Sequence, residues 1–121
     1  MVFRLDQTGK EMVLYTFAVG TGGTTPLGGL VRGPAGSLYS TTYLGGADNN
    51  GVVFKVDPSG EETVLYTFTG LADGGGPTTG LVGDKSGNLY GITTGGGDVS
   101  GCYCGVVFKL TLPPANESGP N

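Results

Sequence analysis

The feature of this chain that most constrains its fold is an internal repeat. Phe3 recurs as Phe54 and Tyr39 recurs as Tyr90, so the sequence repeats after about 51 positions, a period found in propellers and solenoids. Both copies carry the motifs V-F-x-L/V, V-L-Y-T-F, G-L-V and L-Y in the same order, and a third copy begins at residues 105–110. Because a single repeat cannot bury its own apolar face, we expect repeats to stack, either within one polypeptide or between copies.

The pattern of the chain predicts β-strands and no helix. Apolar residues do not recur at helical spacing over a useful length, whereas short runs rich in β-branched and aromatic residues alternate with clusters of Gly, Pro, Asn and Asp. In the second copy the predicted strands are residues 52–56, 63–68, 80–82 and 88–93. Segments such as residues 57–60, Asp-Pro-Ser-Gly, join them and have the residue order of a type I turn followed by a glycine with positive φ.

Alternation along the strands predicts that each sheet is covered on both sides, since successive side chains point to opposite faces. In the strand at 52–56, one face is assigned Val52, Phe54 and Val56. In the strand at 63–68, one face is assigned Val64, Tyr66 and Phe68. Val53 and Leu65 are assigned to the opposite faces. Apolar side chains on both faces are typical of stacked sheets.

These observations predict an all-β fold of the β-propeller type, with two four-stranded blades plus an extra terminal strand. Blade 1 is assigned to residues 1–50, blade 2 to 51–104, the first strand of a third repeat to 105–112 and a flexible tail to 113–121. A β-solenoid is the main alternative, but its rungs are usually shorter. Other chains would have to close a two-blade unit, as a ring of three or four copies or, without closure, as a filament.

Charge and composition exclude two classes of partner. The 121 residues include 6 Lys and Arg against 10 Asp and Glu, and the basic residues are scattered. Nucleic acids and anionic membranes require clustered Lys or Arg, so neither is expected as a partner. No apolar run approaches the roughly 20 residues of a membrane helix, so no membrane insertion is expected. The sequence opens directly on a predicted strand, without the apolar segment of a secretory signal peptide.

Cys102 and Cys104 are the two cysteines of the chain, separated by Tyr103. The glycines that flank them, Gly101 and Gly105, would permit a tight disulfide, which we favour over two free thiols. A metal site on these two ligands is a weaker alternative, because the sequence has no His and no second Cys pair to complete a tetrahedron.

Carboxylates are the main candidates for acid–base chemistry in this chain. Asp6 and Asp57 open turns, where a carboxylate accepts hydrogen bonds from the N–H groups of its own turn. A glycoside hydrolase would need two facing carboxylates, for which Asp73 and Asp98 are candidates that nothing in the sequence brings together. With no His, the Ser/His/Asp and Cys/His arrangements are excluded. We therefore predict no catalytic residues.

Four aspartates lie in Gly-rich loops, and oxygen-rich loops could hold Ca²⁺. They are Asp48, Asp73, Asp84 and Asp98. Their spacing does not match that of the EF-hand loop, so we predict no metal ligands and no cofactor, with Ca²⁺ as the one alternative.

Two tyrosines fall in variable loops, outside the repeated motifs. Tyr43 and Tyr103 are candidate ligand-binding residues, because an exposed aromatic face packs on the apolar face of a sugar ring. Asn116 begins an Asn-Glu-Ser sequon in the Pro/Gly/Ser-rich tail and is a candidate glycosylation site.

The second copy and its continuation carry a family resemblance. Residues 51–70 read G-V-V-F-K-V-D-P-S-G-E-E-T-V-L-Y-T-F-T-G, and P-x-x-G-L-V-x-D-x-x-G-N-L-Y-G-x-T follows from residue 77. This line resembles the choice-of-anchor tandem repeat (GloVer) family over nearly the whole chain up to Leu112. The resemblance implies propeller-like repeats of exported bacterial surface proteins and brings no catalytic residues. It also implies cysteines in the loop before the G-x-V-F-K strand, which favours oxidation of Cys102 and Cys104.

The sequence thus predicts a non-enzymatic, self-assembling structural repeat protein, and the family resemblance implies that it lies outside the bacterial cell or on its surface. Its predicted partners are further copies of itself, which stack blade on blade. The alternative is a module that binds carbohydrate or protein through the loops of Tyr43 and Tyr103. A hydrolase is the least supported reading.

Overall fold

Nine β-strands make up the regular structure of the chain. The computed structural model describes residues 1–18, 20, 22–33, 35–98 and 100–112. The strands are β1 (Val2–Leu5), β2 (Glu11–Tyr15), β3 (Val31–Arg32), β4 (Leu38–Thr41), β5 (Val52–Val56), β6 (Glu62–Thr67), β7 (Val82–Gly83), β8 (Asn88–Ile92) and β9 (Val107–Thr111). None of the described residues is helical, so the prediction of an all-β chain is confirmed. Accordingly, no helix that could span a membrane occurs in this part of the chain.

The strands form three antiparallel sheets that are offset from the sequence copies. The central sheet has the order β3-β4-β5-β6, and it is accompanied by a sheet β1-β2 and a sheet β7-β8-β9. The predicted boundary at residues 50 and 51 therefore lies inside the central sheet, because β4 pairs directly with β5. The chain passes from one sheet to the next through the long segments 16–30 and 68–81 instead. Three antiparallel sheets are compatible with a propeller-type arrangement, which remains a prediction.

Two apolar clusters lie on opposite faces of the central sheet. The first contains Val2, Val52, Phe54 and Val56, packed against Leu14, Tyr15, Phe17, Leu38 and Val64. The second contains Val53, Phe68, Leu81 and Leu89, packed against Val31, Tyr39, Leu65, Phe108, Leu110 and Leu112. Sheet β1-β2 therefore covers one face of the central sheet, and sheet β7-β8-β9 covers the other. The predicted division of β5 between two faces is confirmed.

A β-bulge corrects the face assignment of β6. Val53 pairs with Tyr66 and Phe54 pairs with Val64, which leaves Leu65 as an extra residue in β6. A bulge shifts the alternation of side chains by one position. The prediction that Val64, Tyr66 and Phe68 share a face is therefore wrong: Val64 packs in the first cluster and Phe68 in the second.

The same bulge occurs one repeat earlier. Val2 pairs with Tyr15 and Phe3 pairs with Val13, which leaves Leu14 as the extra residue of β2. Bulges increase the local twist of a strand, and β2 and β6 carry theirs at the same repeat position. The register of the hairpins is thus a property of the repeat.

One phenylalanine pair recurs at both contacts between sheets. Phe17 meets Phe54 edge to face, with ring centroids 5.1 Å apart. Phe68 meets Phe108 in the same way, with centroids 5.2 Å apart. Since Phe68 and Phe108 occupy the repeat positions of Phe17 and Phe54, the two contacts between sheets are copies of one another.

We predict that Phe54→Ala lowers the free energy of unfolding by about 3–5 kcal/mol, the usual cost of removing a fully buried phenylalanine. Phe3→Ala is the matched control, since Phe3 holds the same repeat position but is 52% exposed, against 1% for Phe54. We expect it to cost less than about 1 kcal/mol in the dilute monomer. Urea unfolding followed by circular dichroism measures both, and equal losses would contradict the packing described here.

Candidate functional site

The outer face of sheet β1-β2 is apolar and exposed. We call Phe3, Leu5 and Val13 the leading face; Phe3 lies opposite Val13 in the register. All three are exposed hydrophobic residues. Their repeat counterparts are Phe54, Val56 and Val64, which lie in the first core cluster. The leading face is thus the counterpart of a surface that the central sheet buries.

The outer face of sheet β7-β8-β9 is its complement. We call Val82, Ile92 and Val107 the trailing face; Ile92 lies opposite Val107 in the register. Val107 is 80% exposed, whereas its repeat counterpart Val53 is fully buried between the central sheet and β7-β8-β9. Each end of the stack therefore presents the residues that the interior of the stack uses for packing.

A cavity lies beside β9, between this strand and the edge of the central sheet. It has a volume of about 400 Å³. Its walls come from Val53, Tyr66 and Phe68 of the second copy and from residues 106–110, with Ala72 and Asp73 at one side. None of the described residues pairs with the edge of β9 that borders this cavity.

A second cleft, formed by loops, brings the two sequence-predicted tyrosines together. Tyr43 and Tyr103 both line a cleft of about 290 Å³, together with Asn50, Thr94 and several glycines. The loops are tied to each other by the N–H of Gly76, which donates to the carbonyl of Asn50 at 2.8 Å. Tyr103 is about half exposed and Tyr43 is partly buried. The lining of the cleft therefore combines two tyrosines with several glycines.

Buried threonines that the sequence analysis missed position these loops. The Thr42 hydroxyl donates to the carbonyl of Leu44 at 2.9 Å and accepts from the N–H of Val52 at 3.1 Å. Thr93 makes the same pair of bonds to Gly95 and Val106. Each threonine thus closes a variable loop at its base. The signal in the sequence was that a threonine holds this position in both copies.

Gly51 and Gly105 complete the loop bases. Both have positive φ, 92° and 100°. A Cβ at either position would overlap the carbonyl oxygen of Thr42 or Thr93, respectively. Glycine is therefore required here both by the left-handed backbone and by the close approach of two chain segments.

The structure joins Cys102 and Cys104 in a disulfide, with their Cα atoms 5.2 Å apart. Tyr103 between them has a φ of 53°, a left-handed conformation that is uncommon for a residue with a bulky side chain. Its N–H donates to the carbonyl of Asp98 at 3.3 Å. The short ring thus holds the backbone of a residue that lines the tyrosine cleft. The redox state of the pair in solution stays a prediction.

The comparison with protein families agrees with this architecture. The family model described as the Gloeobacter/Verrucomicrobia repeat matches residues 1–118. The chain belongs to this family. The resemblance inferred from the motifs is thereby confirmed. In this chain the Gloeobacter/Verrucomicrobia repeat folds into three antiparallel sheets. No curated protein and no solved structure matches the chain.

The carboxylates of this repeat protein serve mainly its turns. Asp6 and Asp57 each accept hydrogen bonds from two N–H groups of their own turns, as predicted. The hydroxyls of Thr8 and Ser59 also donate to them, and these bonds lower the pKa values of both carboxyls. Asp84 is bound most fully, and the side-chain amide and N–H of Asn88 with the Tyr90 hydroxyl lower its pKa to about 2.

Asp73 and Asp98 each accept hydrogen bonds from residues close to them in the chain. Asp73 accepts from the Tyr66 hydroxyl at 2.7 Å and from the N–H of Thr69 at 3.0 Å. Asp98 accepts from the hydroxyl of Ser100 at 2.9 Å. Among the described residues no group of three or more carboxylate or cysteine side chains is placed to hold a metal ion. Ca²⁺ binding is untested by this, and Asn116 lies outside the described residues.

One carboxylate lies at a contact between sheets. Glu62 of β6 accepts a hydrogen bond from the Tyr15 hydroxyl at 3.0 Å. Its other oxygen is buried without a partner among the described residues. Burial raises the pKa of the Glu62 carboxyl, and the bond from Tyr15 opposes that shift. The contact thus links sheet β1-β2 to the central sheet by a polar bond at the edge of the first apolar cluster.

Acid should weaken the fold through the turn aspartates. Because the folded-state pKa of Asp84 is lowered from 3.8 to about 2, its contribution to stability is present above the unfolded value and is lost as the pH falls through the folded value. We therefore predict that the melting temperature decreases as the pH is lowered from 3.8 to about 2. Asp84→Asn should flatten part of that fall. A carboxyl titration of Asp84 by NMR with a midpoint near its ordinary value would contradict the assignment.

We predict that the protein purified without reductant contains no free thiol. Its mass should be lower by two hydrogens than that of the reduced chain, and a thiol reagent should modify it only after reduction. Cys102→Ser is the control, because it should leave Cys104 reactive before reduction. Two reactive thiols in the air-oxidised protein would contradict the prediction.

Proposed function

We propose that this chain is a non-enzymatic structural module that associates end to end with further copies of itself. The observation that carries the proposal is the equivalence between its exposed ends and its buried contacts. The leading face repeats the residues that the central sheet packs against β1-β2, and the trailing face repeats those that it packs against β7-β8-β9. A second copy can thus supply a surface of the kind that the chain already packs internally.

The exposed area at the two ends supports association. Side chains of the leading and trailing faces are among the most exposed large hydrophobic residues of the chain, with Leu5 at 61% and Val82 at 68%. Burial of such a side chain contributes about 1.5–3 kcal/mol, and contiguous apolar patches on soluble proteins commonly mark interaction surfaces. Because the two faces differ, the contact joins unlike ends. Such a contact gives a ring if the rotation closes and a filament if it does not.

The proposed setting is the bacterial surface or the space outside the cell. It rests on the family resemblance, and the low density of charged residues is compatible with it: 13% of the chain is charged. A role in catalysis is not proposed, because Asp73 and Asp98 are bound within separate loops and only Asp73 lines the cavity beside β9.

We predict that the purified chain forms multimers, which light scattering after size exclusion detects as a native mass above that of one chain. Phe3→Asp should lower this mass toward the monomer, because it places a charge in the leading face. Leu71→Asp is the matched control, since Leu71 is 58% exposed but lies in a loop outside both faces, and it should leave the mass unchanged. A monomer at all accessible concentrations would refute the proposed function.

A sugar-binding cleft is the second candidate function, favoured by the convergence of Tyr43 and Tyr103 on one loop cleft. An aromatic ring packs on the apolar face of a sugar, and the polar side chains of Asn50 and Thr94, which line the same cleft, are of the kind that orients a ligand.

An array of neutral oligosaccharides tests this second function. We expect Tyr103→Ala to abolish binding to any glycan that the native protein retains, and Tyr103→Phe to keep most of it, because only the ring face is used. Absence of binding on the array, or binding that survives Tyr103→Ala, would exclude the tyrosine cleft as the site.

A further inference from the structure

The cavity beside β9 borders the edge of sheet β7-β8-β9 at which the central sheet has a fourth strand. In the central sheet, Val64 of β6 lies opposite Phe54 and belongs to the same apolar cluster as Tyr15 and Phe17. The repeat counterparts of those three residues are Phe108, Tyr66 and Phe68, and all three line the cavity. The cavity is therefore the seat that a residue equivalent to Val64 would fill. In this chain the equivalent residue is Val13 of β2, which is exposed on the leading face.

The strand next to β2 matches the strand that borders the cavity. Strand β1 begins Val-Phe-Arg-Leu and strand β9 begins Val-Phe-Lys-Leu. In the structure β9 pairs with β8 so that Phe108 lies opposite Gly91 and Lys109 opposite Tyr90. A Cβ on Gly91 would collide with the Phe108 ring, so glycine makes room for a phenylalanine at this position. Phe3 and Arg4 of β1 fit the same two positions in the same register.

We propose that, in the assembly, the β1-β2 hairpin of one copy replaces β9 beside β8 of the next copy. The product is a complete four-stranded sheet with the order β7, β8, and the partner's β1 and β2. The inference rests on the proposed end-to-end association and specifies how it occurs. The hairpin moves as a unit because β1 and β2 are paired along their length. The displaced β9 is exchanged for a strand of nearly the same sequence, so the contacts to β8 are conserved.

The exchange covers surfaces that simple stacking of the two end faces leaves bare. The partner's Val13 fills the cavity, and the partner's Phe3 and Leu5 take the places of Phe108 and Leu110 in the second cluster. The partner's Leu30 gains Val82 and Tyr90 as neighbours. Leu30 is 46% exposed, whereas its counterpart Leu81 packs against the central sheet and is 5% exposed. Stacking without exchange would place an intact β1-β2 sheet between Leu30 and this surface.

The β1-β2 hairpin that pairs with β8 comes from a second copy, because β1 lies far from β8 of its own chain. Sheets β1-β2 and β7-β8-β9 cover opposite faces of the central sheet. Packed sheets are about 10 Å apart, so roughly two such spacings separate β1 from β8 of the same molecule. Internal exchange would require the first apolar cluster to come apart. Exchange with a second copy leaves the first apolar cluster of both molecules intact, and only β9 has to leave its place beside β8.

Cysteine cross-linking between two differently substituted chains tests the exchange. One chain carries Tyr90→Cys and the other Arg4→Cys, both with Cys102→Ser and Cys104→Ser so that no other thiol reacts. Directly opposed residues of an antiparallel pair have Cβ atoms about 4.5–5.5 Å apart, near the span of a disulfide. We expect a reducible dimer of the two chains on mild oxidation. Tyr90→Cys with Lys109→Cys in one chain is the control for the unexchanged pairing.

A second pair of variants separates the exchange from face stacking. Phe3→Cys and Val107→Cys, in two chains of the same background, should cross-link only if intact end faces stack. Val107→Lys adds a measurement that does not depend on thiols. Because Val107 is 80% exposed, this variant should fold, and it should keep the native mass if β9 is displaced but lose it if the faces stack.

The outcomes distinguish the two proposals. Multimers with the Tyr90–Arg4 cross-link support the exchange. Multimers that form only the Phe3–Val107 cross-link and dissociate on Val107→Lys overturn the exchange and leave the proposed function standing. A chain that is monomeric, with neither cross-link between molecules, overturns the proposed function and the exchange together.

Discussion

The edge-to-face packing of one phenylalanine on another across each pair of sheets is the interaction on which this structure depends. The ring centroids of Phe17 and Phe54 are 5.1 Å apart, and those of Phe68 and Phe108 are 5.2 Å apart. A ring just beyond β2 or β6 thus packs on a ring of the next sheet, with interplanar angles of 75° and 66°. The bulges and the paired hairpins recur with the same repeat as that contact.

The glycine-rich loops solve a different problem, which is to bring backbone close to backbone without leaving polar groups unpaired. Thr42 and Thr93 are buried, and each satisfies its hydroxyl by closing a loop. Gly51 and Gly105 admit the carbonyl oxygens of these threonines. With the loop bases fixed in this way, the loop tips are free to differ, and they do: one carries the disulfide and Tyr103, and the other carries no cysteine.

Much of the fold could be predicted from the sequence because two periods are superimposed in it. The alternation of side chains with a period of two residues predicted the strands and the two faces of β5. The repeat of about 51 residues predicted the number and order of the strands. The bulge at Leu65 could not be predicted, because a bulge depends on the register with the partner strand and leaves no mark in one strand alone. The convergence of Tyr43 and Tyr103 was also invisible, since it depends on how consecutive loops lie against each other.

The offset between the sequence copy and the sheet affects how a chain of this kind can change its length. The four-stranded central sheet is assembled from the end of one copy and the start of the next, as the pairing of β4 with β5 shows. Duplication or loss of one copy in a gene would therefore change the number of sheets by one while each junction kept the same residues. The recombination breakpoint in the gene could fall at any position of the repeat. The two parts of the repeat that it joins would still form a whole sheet. Growth by recombination thus requires no newly evolved contact.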